Sequence, residues 1–169
     1  MEDLEPFAEL NADPEVMRHF VSTLDRQASR LFIERADREF EERGLGVWAV
    51  EVPGQVPFVG FVGLRYAAFP AHFTPAVEVG WRLARTYWGR GYATEAARTA
   101  LAFGFDHLAL PEIVSFTVPL NVRSRAVMAR LGMAWDPADD FDHPSIPKGH
   151  PLRRHVLYRL DRTDWAVGA

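Results

Sequence analysis

Between two patterned segments the chain reads Trp88-Gly89-Arg90-Gly91-Tyr92-Ala93-Thr94, with two glycines one residue apart. Glycine admits backbone dihedrals closed to other residues and lets a ligand approach the main chain closely. The residues behind it form helices well, and a helix start offers unpaired N–H groups and the positive end of its dipole. That combination suits an oxygen-rich anion such as a pyrophosphate. A plain tight turn has the same spelling, so the pair of glycines alone leaves both readings open. A dinucleotide fold fits poorly, because the place of its third glycine holds Thr94 and the motif lies far from the N-terminus. A P-loop is excluded by the absence of a Gly-Lys-Ser/Thr triplet.

Other chemistries narrow by composition. The chain has 169 residues and no cysteine, which removes disulfides, thiolate metal sites and an acyl-cysteine intermediate. No serine sits in a G-x-S-x-G elbow. His143, His150 and His155, with Asp142 beside them, have irregular spacing and no second cluster to complete a metal sphere, so no metal is expected. Gating of a substrate by the Asp142-His143-Pro144 loop outranks a metal there, and ordinary loop chemistry outranks both. A net charge of −4 gives a nucleic-acid backbone nothing to gain. No run of 18 apolar residues predicts a membrane span. The start, Met1-Glu2-Asp3-Leu4-Glu5, carries no apolar run behind it, which predicts no signal peptide and a cytoplasmic location by default.

The elements that must position the glycine turn follow from periodicity. Asp13-Pro14 predicts a short helix through Phe20, and residues 25–43 a second one stopped by Gly44. Residues 46–52 and 58–66 read as a hairpin about Pro53-Gly54, and 67–76 as a loop. From Val77 to Leu83 strict alternation puts Val77, Val79, Trp81 and Leu83 on one face of a strand and Glu78 and Arg82 on the other. A helix is expected from about Ala93, a strand over 113–118, and a helix capped by Asn121 and ending at Gly132. A proline-rich stretch from Asp136 to Pro151 precedes a last strand near 154–160. Strand–helix–strand order in the second half implies parallel pairing, and the early hairpin is antiparallel. The fold class is mixed α/β in one domain.

The runs EVGWRL…WGRGYATEA and NVRSRAVMARLGM resemble the GNAT N-acetyltransferase superfamily. Together with FDHPSIPKGHPLRRHVLYRL and NADPEVMRHF, they are most similar to the branch of the ribosomal-protein N-terminal acetyltransferases RimJ and RimL. The resemblance covers nearly the whole chain. It implies the GNAT fold: a mixed, mostly antiparallel, splayed sheet flanked by helices. It also implies acetyl-CoA in the cleft between two parallel strands, and direct transfer of its acetyl group to a bound amine. On that reading Val79, Trp81 and Leu83 hold pantetheine and acetyl group, with a strand N–H near Val79 or Trp81 polarising the carbonyl. Trp88, Gly89, Arg90, Gly91, Tyr92, Ala93 and Thr94 surround the pyrophosphate, and Asn121 reaches the cofactor from the next helix. Departures are Thr86, where the family often carries Gln or Arg, and Met128, where many members place a tyrosine as general acid. The sequence given also opens after the place of the family's first strand, at Glu2-Asp3-Leu4-Glu5, from which either a mis-assigned start, or a sheet edge left bare or filled by a second copy in a homodimer, is expected.

Two residues are catalytic candidates under that resemblance. Glu78 lies on the strand that should face the thioester and would accept the amine's proton, directly or through water; a solvent-facing strand residue is the competing reading. Ser124 would donate to the leaving sulfur in place of the tyrosine; a first-turn serine that satisfies backbone groups competes equally. Asn121 serves as a cap in either case, and Arg90 as a plain surface arginine is the ordinary alternative to a phosphate contact. The rival functions are a non-catalytic acyl-CoA-binding module and a nucleotide-using enzyme of another class. The acceptor stays open among a protein N-terminus, an amino acid, an aminoglycoside and a polyamine, with the net charge mildly favouring a basic one.

Overall fold

The structure is a computed structural model that describes residues 2–168. Five helices, α1 (Leu4–Ala12), α2 (Arg26–Arg43), α3 (Tyr92–Ala102), α4 (Val122–Arg130) and α5 (Arg162–Gly168), flank one sheet. Its strands are β1 (Val47–Val52), β2 (Val56–Tyr66), β3 (Val77–Leu83), β4 (Glu112–Thr117), β5 (Ala134–Trp135), β6 (Phe141–Asp142) and β7 (Arg154–Asp161). The order across the sheet is β1-β2-β3-β4-β7-β5, with β6 on the end of β7. Every pairing is antiparallel except that of β3 with β4. This is the mixed, mostly antiparallel sheet flanked by helices that the resemblance implied.

Local chemistry accounts for the elements that fall where they were expected. The Asp25 carboxylate accepts from the Ala28 N–H at 2.7 Å and starts α2, while the Gly44 N–H donates to the Phe40 carbonyl and ends it. The Asn121 side chain likewise accepts from the Ser124 N–H and starts α4. Alternation along β3 buries Val77, Val79 and Leu83, the first two in one core with Ala97, Ala100 and Leu101 of α3 and Phe105 just beyond it. Phe7, Leu10 and Val16 pack with Phe32, Phe58 and Phe61 on the opposite face.

The front of the chain differs from expectation. Residues 13–22 are turns and bends rather than the helix expected from Asp13 to Phe20, and the helix comes earlier, over Leu4–Ala12. Asp13 closes that helix: its carboxylate accepts from the Glu15 N–H at 2.8 Å, folding the chain into a local turn. The helix after the glycine turn also changes character, passing at Phe103–His107 into a wide π-type turn. β1 lies at one edge of the sheet, with no strand outside it among the described residues.

Candidate active site

The site is a gap in the sheet. β3 and β4 are registered only at Glu78 and Val114, beyond which the two strands part. Which peptide groups face the gap follows from the phase of the β2–β3 ladder. The Ala67 N–H donates to the Ala76 carbonyl and the Ala84 N–H to the Val59 carbonyl, in the same register that pairs Gly60 with Leu83. Peptide groups alternate sides along a strand. Those of Glu78, Gly80 and Arg82 therefore point at β2, and those of Val79, Trp81 and Leu83 point toward β4. The Leu83 carbonyl confirms the phase, since it accepts from the Trp88 indole N–H at 2.7 Å.

At the wide end of the gap stands α3. Gly89 and Gly91 have φ of 75° and 89°, a left-handed backbone that favours glycine, and a Cβ at either would meet nothing within 4 Å. Gly91 occupies the N-cap position without any side-chain cap, so the first amides of α3 open onto clear space. Trp88, Gly89, Gly91, Tyr92, Ala93 and Thr94 line a cleft of ≈ 2030 Å³ that continues past Trp81, Leu83, Asn121 and Ser124 to Glu78. Arg90 does not line it and lies over the Tyr87 ring at 5.7 Å. Val79, expected to hold the cofactor, is wholly buried and does not line the cleft.

Glu78 is not the solvent-facing strand residue that competed for its place. It is half-buried in the cleft wall, and loss of hydration pushes its pKa up to about 8, against a smaller downward pull from Arg65. Arg65, its cross-strand neighbour, spends its guanidinium on both oxygens of Glu39 at 2.8 and 2.9 Å. Ser124 lies in the first turn of α4 on the cleft wall, and its hydroxyl has no hydrogen-bond partner among the described residues. Asn121 is committed at both ends of its amide, donating to the Thr117 hydroxyl at 2.9 Å and accepting from the Ser124 N–H at 3.3 Å. Met128 is buried in the core while touching the cleft.

Several cleft residues escape sequence reasoning. Arg123 lies in the first turn of α4, over the Trp88 ring at 4.6 Å, within the cleft wall. On the other face, Arg82, Phe20 and Phe61 line the cleft together with Glu78. His143 and His155 come from the chain before β7 and from β7 itself, with rings 5.2 Å apart among Phe116 and Phe141. The His155 Nδ1 is 3.1 Å from the Arg153 carbonyl, and burial brings its pKa to about 4, so it is neutral in ordinary buffers. His150 is elsewhere, its Nδ1 accepting from the Leu152 N–H. No group of three or more metal-ligating side chains gathers among the described residues. No described helix is long and apolar enough to cross a membrane.

Comparison with known proteins places this geometry. Residues 1–134 match the family described as the acetyltransferase (GNAT) domain. The curated FsC-acetyl coenzyme A-N(2)-transacetylase of Aspergillus fumigatus is 30% identical over 176 residues, spanning 92% of this chain and 68% of that protein. An uncharacterised Bacillus subtilis protein, YkkB, is 29% identical over 127 residues, covering 75% of this chain and 73% of its own. Among solved structures, a GNAT-family acetyltransferase from Bacillus anthracis superposes with a TM-score of 0.77 at 24% identity, over 96% of this chain and 90% of that one. The ribosomal-protein-S5-alanine acetyltransferase of Vibrio fischeri superposes at 0.70 with 19% identity, over 97% and 90%. At those identities the likeness is one of fold.

Proposed function

This chain belongs to the acetyltransferase (GNAT) family and is an acetyl-CoA-dependent N-acetyltransferase, and we propose that it acetylates a primary amine by direct attack, both substrates being bound at once. The observation that carries the proposal is the parting of β3 from β4 beyond Glu78 and Val114, with open peptide groups on one side and the α3 amides at its end. The residues present fit acetyl-CoA on their own chemistry. Uncapped amides and a left-handed glycine turn suit a pyrophosphate, and a strand edge with free N–H and C=O groups suits the amides of a pantetheine arm. Bound there, acetyl-CoA supplies an activated acyl group.

The protein's part is to position and to move protons. The Trp81 N–H, which faces the gap, donates to the carbonyl oxygen as negative charge develops on it. The attacking amine loses its proton to Glu78, directly or through a water, as the new C–N bond forms and the C–S bond breaks. A carboxyl with a pKa near 8 is a better match to an amine than an ordinary carboxylate, because proton transfer is less uphill. The departing sulfur takes a proton from the Ser124 hydroxyl or from solvent; a thiol of pKa ~8.5 leaves without much help. Trp81 and Leu83 flank the pantetheine arm, and Gly89, Gly91, Tyr92, Ala93 and Thr94 the pyrophosphate. Arg123, above Trp88, adds a positive charge beside the phosphates that Arg90 does not provide.

Likeness to ribosomal-protein acetyltransferases is one of fold and carries neither their reaction nor their acceptor to this chain. The relative from A. fumigatus bears a name that states transfer from acetyl coenzyme A to an N(2) position, in keeping with an amine acceptor here. Thiol release from acetyl-CoA on adding an amine panel tests the proposal. CoA binding without turnover on any amine would favour an acyl-CoA-binding module instead.

A further inference from the structure

Arg82 is a half-buried cation without a counter-ion among the described residues. Its Nη1 donates to the Asn11 Oδ1, and the Asn11 Nδ2 donates to the Ser29 hydroxyl at 3.0 Å, both partners being neutral and fully buried. The guanidinium packs under the Phe20 ring at 4.2 Å and beside Phe61 at 5.4 Å. Among the described residues no carboxylate lies within salt-bridge distance of it, whereas Arg65 and Arg159 on the same sheet are each held by acids. The Nε is buried and has no hydrogen-bond partner. Loss of hydration alone lowers its pKa to about 10, which leaves it charged at any working pH. A buried, charged donor left unpaired is costly, so a site that keeps one is built for an acceptor that arrives with a ligand.

The place of Arg82 indicates which ligand. Its side chain leaves β3 on the same face as that of Glu78, opposite the face that packs on α3. That directs it away from the α3 amides and toward the side from which an amine would approach Glu78. Gly80, between them, leaves the floor of the cleft clear. His155 on that side is neutral, and Glu15 and Arg18, which line the cleft beside Phe20, offset each other at 3.6 Å, so Arg82 brings the uncompensated charge there. Resting on the acetyltransferase reading above, we propose that the acceptor is an amine that also carries a carboxylate, which pairs with Arg82 while the nitrogen lies by Glu78. The Cα atoms of residues 78 and 82 are ~13 Å apart along a strand, and both side chains are long. The carboxylate is accordingly several bonds from the amine. A polyamine, which the net charge alone would favour, fits this end of the cleft badly.

The test uses thiol release from acetyl-CoA with ω-amino acids of one to six methylenes, each beside its own primary amide. The paired compounds match in length and differ in charge. In wild type the best acid should exceed its amide in kcat/KM by at least ~10-fold, as expected for a charge-assisted contact. In Arg82→Met, which keeps a stem to pack on Phe20 and Phe61, that ratio should fall toward one. Arg82→Lys, retaining charge but not the planar fork, should give an intermediate ratio, and it serves if the methionine variant does not fold. Acids and amides turned over alike, or a ratio unchanged in both variants, overturns the proposal and leaves the acetyltransferase reading standing. A variant that weakens CoA affinity while keeping the ratio also overturns it, by placing Arg82 on the cofactor. No thiol release from any acid sinks the proposal; if CoA also fails to raise the melting temperature, the acetyltransferase reading falls with it.

Discussion

Replacing Glu78 by glutamine should make the protein more resistant to heat as the pH rises, relative to wild type. Burial favours the neutral carboxyl in the fold, with a pKa of about 8 against 4.5 for the free group. The raised value fixes the sign: the stabilisation is fully present below about pH 4.5 and is lost as pH climbs through 8, because the unfolded chain releases the proton first. Linkage over that window amounts to about 3 kcal/mol at pH 7 and about 5 kcal/mol at pH 9 if the carboxyl stays where it is. Rotation toward water would reduce this, so at least ~2 kcal/mol is the working expectation. For a chain of this length that corresponds to a gain of roughly 4–8 °C in the difference between variant and wild type from pH 4.5 to pH 9. Differential scanning calorimetry of the two proteins without ligand, at four or five pH values, measures it. Kinetics supply the second half. Glu78→Gln should lower kcat by roughly 10- to 10⁴-fold, with the loss growing up to about pH 8 as Glu78 ionises and narrowing once the amine deprotonates unaided. A melting difference flat in pH would refute the burial argument, and wild-type activity in the variant with a parallel profile would refute the proton role.

Gly91→Val should cost at least ~10-fold in CoA affinity while the fold persists, since its Cβ enters open space but forces a β-branched residue to φ of 89°. Gly54→Val is the control for backbone strain: its φ is 71° in the β1–β2 turn and its Cβ is equally unobstructed, so it should lower the melting temperature without changing CoA affinity. Equal affinity loss in both, by isothermal titration, would mean that the Gly91 effect is general destabilisation. Ser124→Ala should reduce kcat by less than ~10-fold, because a thiol of ordinary pKa leaves readily; a loss above 10²-fold would make the hydroxyl an obligatory acid.

How far the sequence discloses the site depends on whether a residue acts through its neighbours in the chain. Asp25 and Gly44 bound α2 by local hydrogen bonds, and their types announce it. The alternation of β3 shows which side Glu78 takes, and the spacing of Gly89 and Gly91 marks the α3 amides. Its surroundings are another matter. That Glu78 is desolvated depends on packing across the sheet, where periodicity offers only a choice of faces. Arg82 gains its meaning from Asn11, 71 residues away, and from Phe20 in a segment whose helical reading is incorrect. α1 is short and has Pro6 in its first turn, so Leu4, Phe7 and Leu10 make too brief a stripe to stand out, although proline is well tolerated there. His143 and His155 meet only because β6 turns back on β7, two residues of pairing that no pattern in the proline-rich stretch announces.

The central claim is that acetyl-CoA lies in the gap between β3 and β4 with its phosphates on the α3 amides. Thermal melting with CoA, acetyl-CoA, ATP and NAD at equal millimolar concentrations tests it most directly. A ligand bound only by the fold stabilises it by mass action, about 2.7 kcal/mol at a hundredfold excess over Kd. CoA and acetyl-CoA should therefore raise the melting temperature by several degrees, the other two by far less, and Gly91→Val should cut the gain by about half or more. No shift with CoA, or an equal shift with ATP and NAD, would contradict the account.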